Sequence, residues 1–116
     1  MHELSLCDDL LSQVIAIAAQ HNAPSVESIT VQIGTLSGVE PTLLESAFAL
    51  IKTGTVAEQA ELIMQTSPVT VLCRTCGTQS EVAANRLICK ACESNETTLL
   101  SGDELILASV ALNCAD

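Results

Sequence analysis

The feature that most constrains this chain is a quartet of cysteines set as two close pairs, Cys73-Arg74-Thr75-Cys76 and Cys89-Lys90-Ala91-Cys92, with twelve residues between them. Two residues between paired cysteines allow a tight turn to aim both thiolates at one ion. Two such knuckles facing each other complete a tetrahedral four-thiolate shell, with zinc–sulfur bonds of roughly 2.3 Å. A closed shell of this kind holds structure and leaves no position for substrate. The gap is shorter than the roughly 15 to 20 residues of the commonest ribbon pattern. Gly77 suits the turn after the first pair, whereas Glu93 stands where a glycine is preferred after the second. On spacing alone, two disulfides or a redox-active CxxC remain alternatives.

At 116 residues the chain can bury one ordinary core, with a satellite unit too small to fold unless something staples it. The hydrophobic fraction is 48% but Phe48 is the only aromatic residue, so the core must be packed from Leu, Ile, Val and Ala. No stretch approaches the roughly 18 apolar residues of a membrane span, and the N-terminus has neither the basic region nor the apolar run of a signal peptide. The expectation is a soluble cytoplasmic protein without membrane insertion. In a reducing compartment, close cysteine pairs favour metal over disulfides.

Charge divides the chain. Residues 68–102 balance Arg74, Arg86 and Lys90 against Glu81, Glu93 and Glu96, while the remainder sets eleven acidic residues against Lys52 alone. The net charge of -10 therefore lies wholly outside the cysteine segment. A nucleic-acid-binding ribbon needs clustered cations for phosphates and aromatics for stacking, and the sequence supplies neither. An acidic surface favours basic partners and divalent cations, or simply keeps an aliphatic-rich protein in solution.

Leu6, Cys7, Leu10, Leu11, Val14, Ile15 and Ala18 recur at three- and four-residue intervals and predict an amphipathic helix from about Ser5 to His21. Ser5 is its expected cap, Asp8 and Asp9 suit its positive end, and Asn22-Ala23-Pro24 ends it. Ile29, Val31 and Ile33 alternate with Thr30 and Gln32 in a strand that stops at Gly34. Pro41 opens a second helix with Leu44, Ala47, Phe48 and Ile51 on its apolar face and Gly54 past its end. Strands are predicted at Glu61–Thr66, Val69–Leu72 and Asp103–Leu112. The cysteine segment thus reads as an insertion between two strands that could pair.

Met1-His2-Glu3 offers a second metal site. The α-amine, the deprotonated amide of His2 and its imidazole can close five- and six-membered rings around one ion. Such a planar nitrogen set suits Ni(II) or Cu(II), and zinc gains nothing from the plane. A fourth ligand must come from elsewhere, Glu3 or the Gly38-Val39-Glu40 turn being candidates. Because His2 is not small, Met1 is expected to survive processing and keep His2 second. Taken alone, His2 reads as an ordinary exposed residue sooner than as a ligand. His21 reads as a surface residue suited to a helix C-terminus, Cys7 as a small core residue, and Cys114 as a free thiol.

The Met1-His2-Glu3-Leu4-Ser5 start, the segment Gly34-Thr35-Leu36-Ser37-Gly38-Val39-Glu40-Pro41, the Ala47-Phe48 pair, the two CxxC knuckles and Gly102-Asp103-Glu104-Leu105 resemble, in order, the HypA/HybF family of hydrogenase maturation factors. The resemblance covers essentially the whole chain. It implies an α+β fold: a nickel domain with two helices and a three-stranded sheet (residues 1–67 plus 103–116), carrying an inserted zinc-ribbon-like domain (residues 68–102). It implies a nickel metallochaperone rather than an enzyme. Ni(II) would be transient cargo and Zn(II) structural. His2 would be the essential nickel ligand, with Met1 and Glu3 contributing through backbone nitrogens, the Glu3 side chain as ligand or tuning group, and Glu40 as a further acid. Cys73, Cys76, Cys89 and Cys92 would hold zinc. Its implied partners are the large subunit of a [NiFe] hydrogenase and the GTPase HypB. Some relatives carry Asp where this chain has Glu40, and many have a proline in the second knuckle and a glycine after it, where this chain has Ala91 and Glu93.

Two rival readings come from other classes. A zinc-ribbon adaptor would only mediate protein contacts and leave His2 incidental. A metal-dependent enzyme would need a nucleophile, base and orienting group that the sequence does not place together.

Overall fold

The computed structural model describes residues 3–114. Its elements are α1 (Glu3–Gln20), β1 (Ser25–Gly34), α2 (Pro41–Ile51), β2 (Glu61–Ser67), β3 (Val69–Cys73), β4 (Gln79–Val82), β5 (Thr97–Ser101) and β6 (Leu105–Asn113). Three strands pair in the order β2-β1-β6 and three in the order β4-β3-β5, giving the α+β class with two small sheets. The chain divides into two compact units. One takes residues up to 31, 39–65 and 106 onward; the other takes 32–38 and 66–105.

In the first unit α1 buries Cys7, Leu10, Leu11, Val14 and Ala18, one stripe at helical spacing. Ile15, expected on that stripe, is 39% exposed because it falls at the edge of the arc. The helix already runs at Glu3, so Ser5 lies inside it and is not its cap. Its other end closes as a Schellman motif. Asn22 takes a left-handed φ of 52°, its amide donates to Ala19 at 3.2 Å and the Ala23 amide to Ala18 at 2.9 Å. His21 Nδ1 lies 2.9 Å from the Ile17 carbonyl, so its ring helps close the same helix end.

Pro41 opens α2 as its fixed φ allows, and Leu44, Ala47 and Phe48 are its buried face. The helices α1 and α2 pack on each other, and the Cys7 thiol donates to the Leu44 carbonyl at 3.2 Å. Leu44 has no exposed surface, so truncating it to alanine costs about 2–5 kcal/mol.

In the second unit, β3 pairs antiparallel with β4 (Val71 opposite Ser80) and with β5 (Val71 opposite Leu99), with a bulge between Thr70 and Val71. Val69 and Val71 point inward between intermediate neighbours, so alternation places Cys73 on the buried face. Gly34 is needed for a close approach, since a Cβ there would strike the Gly102 carbonyl. The Leu36 amide donates to that carbonyl at 2.6 Å and the Gly34 amide to the Glu104 carbonyl at 2.7 Å.

Strands β4 and β5 were not expected from the sequence. The strands flanking the cysteine segment also do not pair with each other. Strand β1 lies between β2 and β6, while β3 joins the other sheet.

Candidate metal centre

Strand β3 ends at Cys73, and the chain turns through Thr75 and Cys76 to Gly77 before β4 begins at Gln79. Sixteen residues later the same turn is built again. The Gly77 amide donates to the Cys73 carbonyl at 3.0 Å, and the Glu93 amide to the Cys89 carbonyl at 2.9 Å. The Cys73 amide donates to Thr78 at 3.0 Å, and the Cys89 amide to Ser94 at 2.9 Å. The Thr75 and Ala91 amides each donate to the first sulfur of their knuckle at 3.3 Å. Residues beyond the second cysteine must take positive φ to close such a turn, and Gly77 (77°) and Glu93 (63°) both do.

The knuckles are held face to face by side chains between the cysteines and after them. The Thr75 and Ser94 hydroxyls meet at 3.0 Å, and the Lys90 amide donates to the buried Ser80 hydroxyl on β4 at 3.3 Å. The Thr97 hydroxyl donates to the Leu87 carbonyl at 2.9 Å.

The four Sγ atoms lie within 4.8 Å of one another, Cys73 to Cys92 at 3.5 Å and Cys76 to Cys89 at 3.6 Å. A disulfide needs about 2.05 Å, and all six cysteines are free thiols. Sulfurs about 2.3 Å from a central ion at tetrahedral angles sit about 3.8 Å apart, so the spacing fits a metal ion bound by four thiolates. Cys73 and Cys89 are buried, Cys76 and Cys92 exposed.

Sulfur electrostatics favour the thiolate at the first cysteine of each knuckle. The Cys76 amide aimed at its sulfur, with the Thr75 amide and the Cys92 thiol assisting against burial, brings Cys73 down to about 6. The Cys92 amide acts on Cys89 in the same way and lowers it. For Cys92 the Ser94 amide pulls downward, but the Cys73 sulfur beside it, burial and the other two cysteines outweigh it and push Cys92 up to about 12. Four sulfurs so close can all be thiolates only when a cation offsets their charge.

The other expected site residues fall in the first unit. Met1 and His2 lie outside the described residues. Glu3 is 8% exposed, and its Oε2 accepts from the Glu40 amide at 3.4 Å. Glu40 is the N-cap of α2 but makes no side-chain cap bond of its own. The Glu3 carboxylate thus lies at the positive end of α2 and accepts from the amide of the N-cap residue itself, as the carboxylate of a capping box does. The sequence reading missed this role, since the partners are 37 residues apart. Cys7 is buried and Cys114 exposed. Among the described residues, no helix is long and apolar enough to cross a membrane.

Residues 1–112 match the family described as "Hydrogenase/urease nickel incorporation, metallochaperone, hypA". The chain is 46% identical over 112 residues to the hydrogenase maturation factor HypA of Nitrosospira multiformis, covering 97% of each, and 45% identical to that of Aquifex aeolicus with the same coverage. Its fold is similar to the solution structure of the Ni metallochaperone HypA from Helicobacter pylori, with a TM-score of 0.73 at 26% identity over 99% of this chain and 100% of that one.

Proposed function

The chain belongs to the HypA family of hydrogenase maturation factors, and on that premise we propose that it is a carrier that binds Ni(II) at its N-terminus and delivers it to a [NiFe] hydrogenase. The observation that carries the reading is a full-length match to a nickel-incorporation family together with the Met1-His2-Glu3 chelating start. The amine of Met1, backbone amides and the His2 imidazole supply the planar nitrogen set. The 3.4 Å contact between Glu3 and the Glu40 amide supports a contribution from the turn before α2, because it ties that turn to the N-terminal segment. Glu3 itself acts as a tuning group that fixes the segment, and Glu40, exposed beside it, is the acid free to reach the ion.

Nickel carriage is assigned to residues 1–67 with 103–116 and the structural role to residues 68–102, with the segments 32–38, 66–67 and 103–105 packed in the cysteine unit. Cys73, Cys76, Cys89 and Cys92 hold zinc there, supported by the donor set and the sulfur spacing. When bound, that ion supplies only cross-linking charge. The chain's own part is to present two preformed knuckles whose amides favour thiolate.

Delivery proceeds by ligand exchange in the cytoplasm, with no catalytic step. Binding displaces protons from amine, amide and imidazole, so affinity falls as pH drops and the client can take the ion when the imidazole is protonated. The hydrogenase large subunit is the receiver, and the GTPase HypB the partner in the transfer. The family description also names urease, whereas the similar proteins are named for hydrogenase.

The test is nickel-dependent hydrogenase activity in cells whose own copy is replaced by His2→Ala. The carrier reading expects that activity to be lost while protein level and zinc content are unchanged. Full activity in the variant would favour the zinc-ribbon adaptor.

A further inference from the structure

The second knuckle borders a cavity of about 340 Å³ whose lining shares Cys89 with the cysteine quartet and otherwise lies outside it. The half-buried Val82 and Ile88 give it an apolar lining, and the exposed Arg86, Lys90 and Glu93 give it charge. Among the described residues, neither the Arg86 guanidinium nor the Lys90 ammonium has a carboxylate within ion-pair distance. Lys52, by contrast, is occupied, donating to the Ala60 carbonyl at 3.2 Å and lying over the Phe48 ring.

A second observation concerns Glu93. Its φ of 63° costs about 1–2 kcal/mol that glycine would not pay, yet the chain keeps a charged side chain there, lining the cavity. The knuckle turn accounts for that torsion; what the side chain adds to the lining is a negative charge.

We propose that this cavity is a docking site for an acidic peptide segment of a partner protein. The partner sets an aliphatic side chain against Val82 and Ile88 and a carboxylate on Arg86 and Lys90. The Arg86 fork matches a carboxylate edge-on, and Lys90 adds a point charge. Glu93 repels a second carboxylate and so fixes which way the peptide runs. The volume lies near the low end of the roughly 300–1,000 Å³ of ligand pockets, which is room for one or two residues. The proposal is independent of the nickel reading.

The test is amide chemical-shift mapping of ¹⁵N-labelled, zinc-loaded full-length protein with the peptide acetyl-Asp-Leu-Glu-amide. Expected are saturable shifts at Val82, Ile88, Lys90 and Glu93. They should weaken by about 10-fold in Arg86→Glu/Lys90→Glu and also fall in Arg86→Gln/Lys90→Gln, while Glu93→Gln should bind about 3-fold tighter. Folding of each variant is read from thiolate absorption of its cobalt-substituted form. The neutral peptide acetyl-Asn-Leu-Gln-amide should leave these amides unmoved, an arm that needs no variant. Absence of saturable shifts, equal binding of the neutral peptide, or binding of free 4-methylpentanoate as tight as that of the peptide would each overturn the proposal.

Discussion

The Glu40 backbone amide points at the Glu3 carboxylate, 3.4 Å away, so the N-cap residue of the helix that opens at Pro41 is tied to a side chain 37 residues earlier. Because Glu40 makes no side-chain cap bond, the acceptor is not duplicated. Glu3→Ala is expected to cost about 1 kcal/mol in urea unfolding, and Glu3→Gln about half as much, since an amide oxygen still accepts. Equal stability of all three proteins would show that the contact does not stabilise the start of α2.

The two knuckles obey one geometry with unequal residues. Gly77 at 77° has open space around it, so only its torsion argues for glycine. At 63° Glu93 pays the steric cost that Gly77 avoids. Glu93→Gly should therefore stabilise the metal-loaded protein by about 1 kcal/mol, and Gly77→Ala should destabilise it by a similar amount. Opposite signs in denaturant midpoints are the check.

How far these features were legible in the sequence depends on how local their causes are. The knuckles, the stripe of α1 and the Pro41 start of α2 are set by residues a few positions apart, and they were read with nearly the right bounds. Strands β4 (Gln-Ser-Glu-Val) and β5 (Thr-Thr-Leu-Leu-Ser) are short and half polar, and they exist because β3 lies between them. Nothing in either segment announces that neighbour. Pairing order was invisible for the same reason, as β2 and β6 meet β1 and not each other. Ser5 looked like a cap because capping is read from residue type, whereas the helix is already formed two residues earlier.

Cys7 gives an alkaline signature. Burial, then the charge of Glu3, raises its thiol from 9.0 to about 11. A raised value means that the folded state favours the neutral thiol. Its contribution is complete below about pH 9 and is lost as pH climbs through about 11. Urea midpoints of zinc-loaded protein should fall more steeply over that window than those of Cys7→Ala. Parallel curves would contradict the assignment. With a maleimide at pH 7.5, the exposed Cys114 should react first and Cys7 only on unfolding.

Removing the metal should act on one unit. The second unit rests on few buried apolar residues, among them Val69 and Val71, and two of its buried side chains are Cys73 and Cys89 of the quartet. After chelation at neutral pH, amide exchange across β3, β4 and β5 should accelerate by at least about 100-fold, with α1 and α2 nearly unchanged. Uniform acceleration, or none, would show that the cysteine quartet does not staple this unit.

The most direct test of the carrier reading is a calorimetric and visible-absorption Ni(II) titration of tag-free, zinc-loaded protein, with His2→Ala and a variant bearing one extra N-terminal glycine in parallel. The account predicts about one nickel per chain with planar d–d bands for the natural N-terminus. It also predicts loss of that site in His2→Ala and altered bands when the histidine moves to third position. Equal binding by all three, or by none, would contradict it.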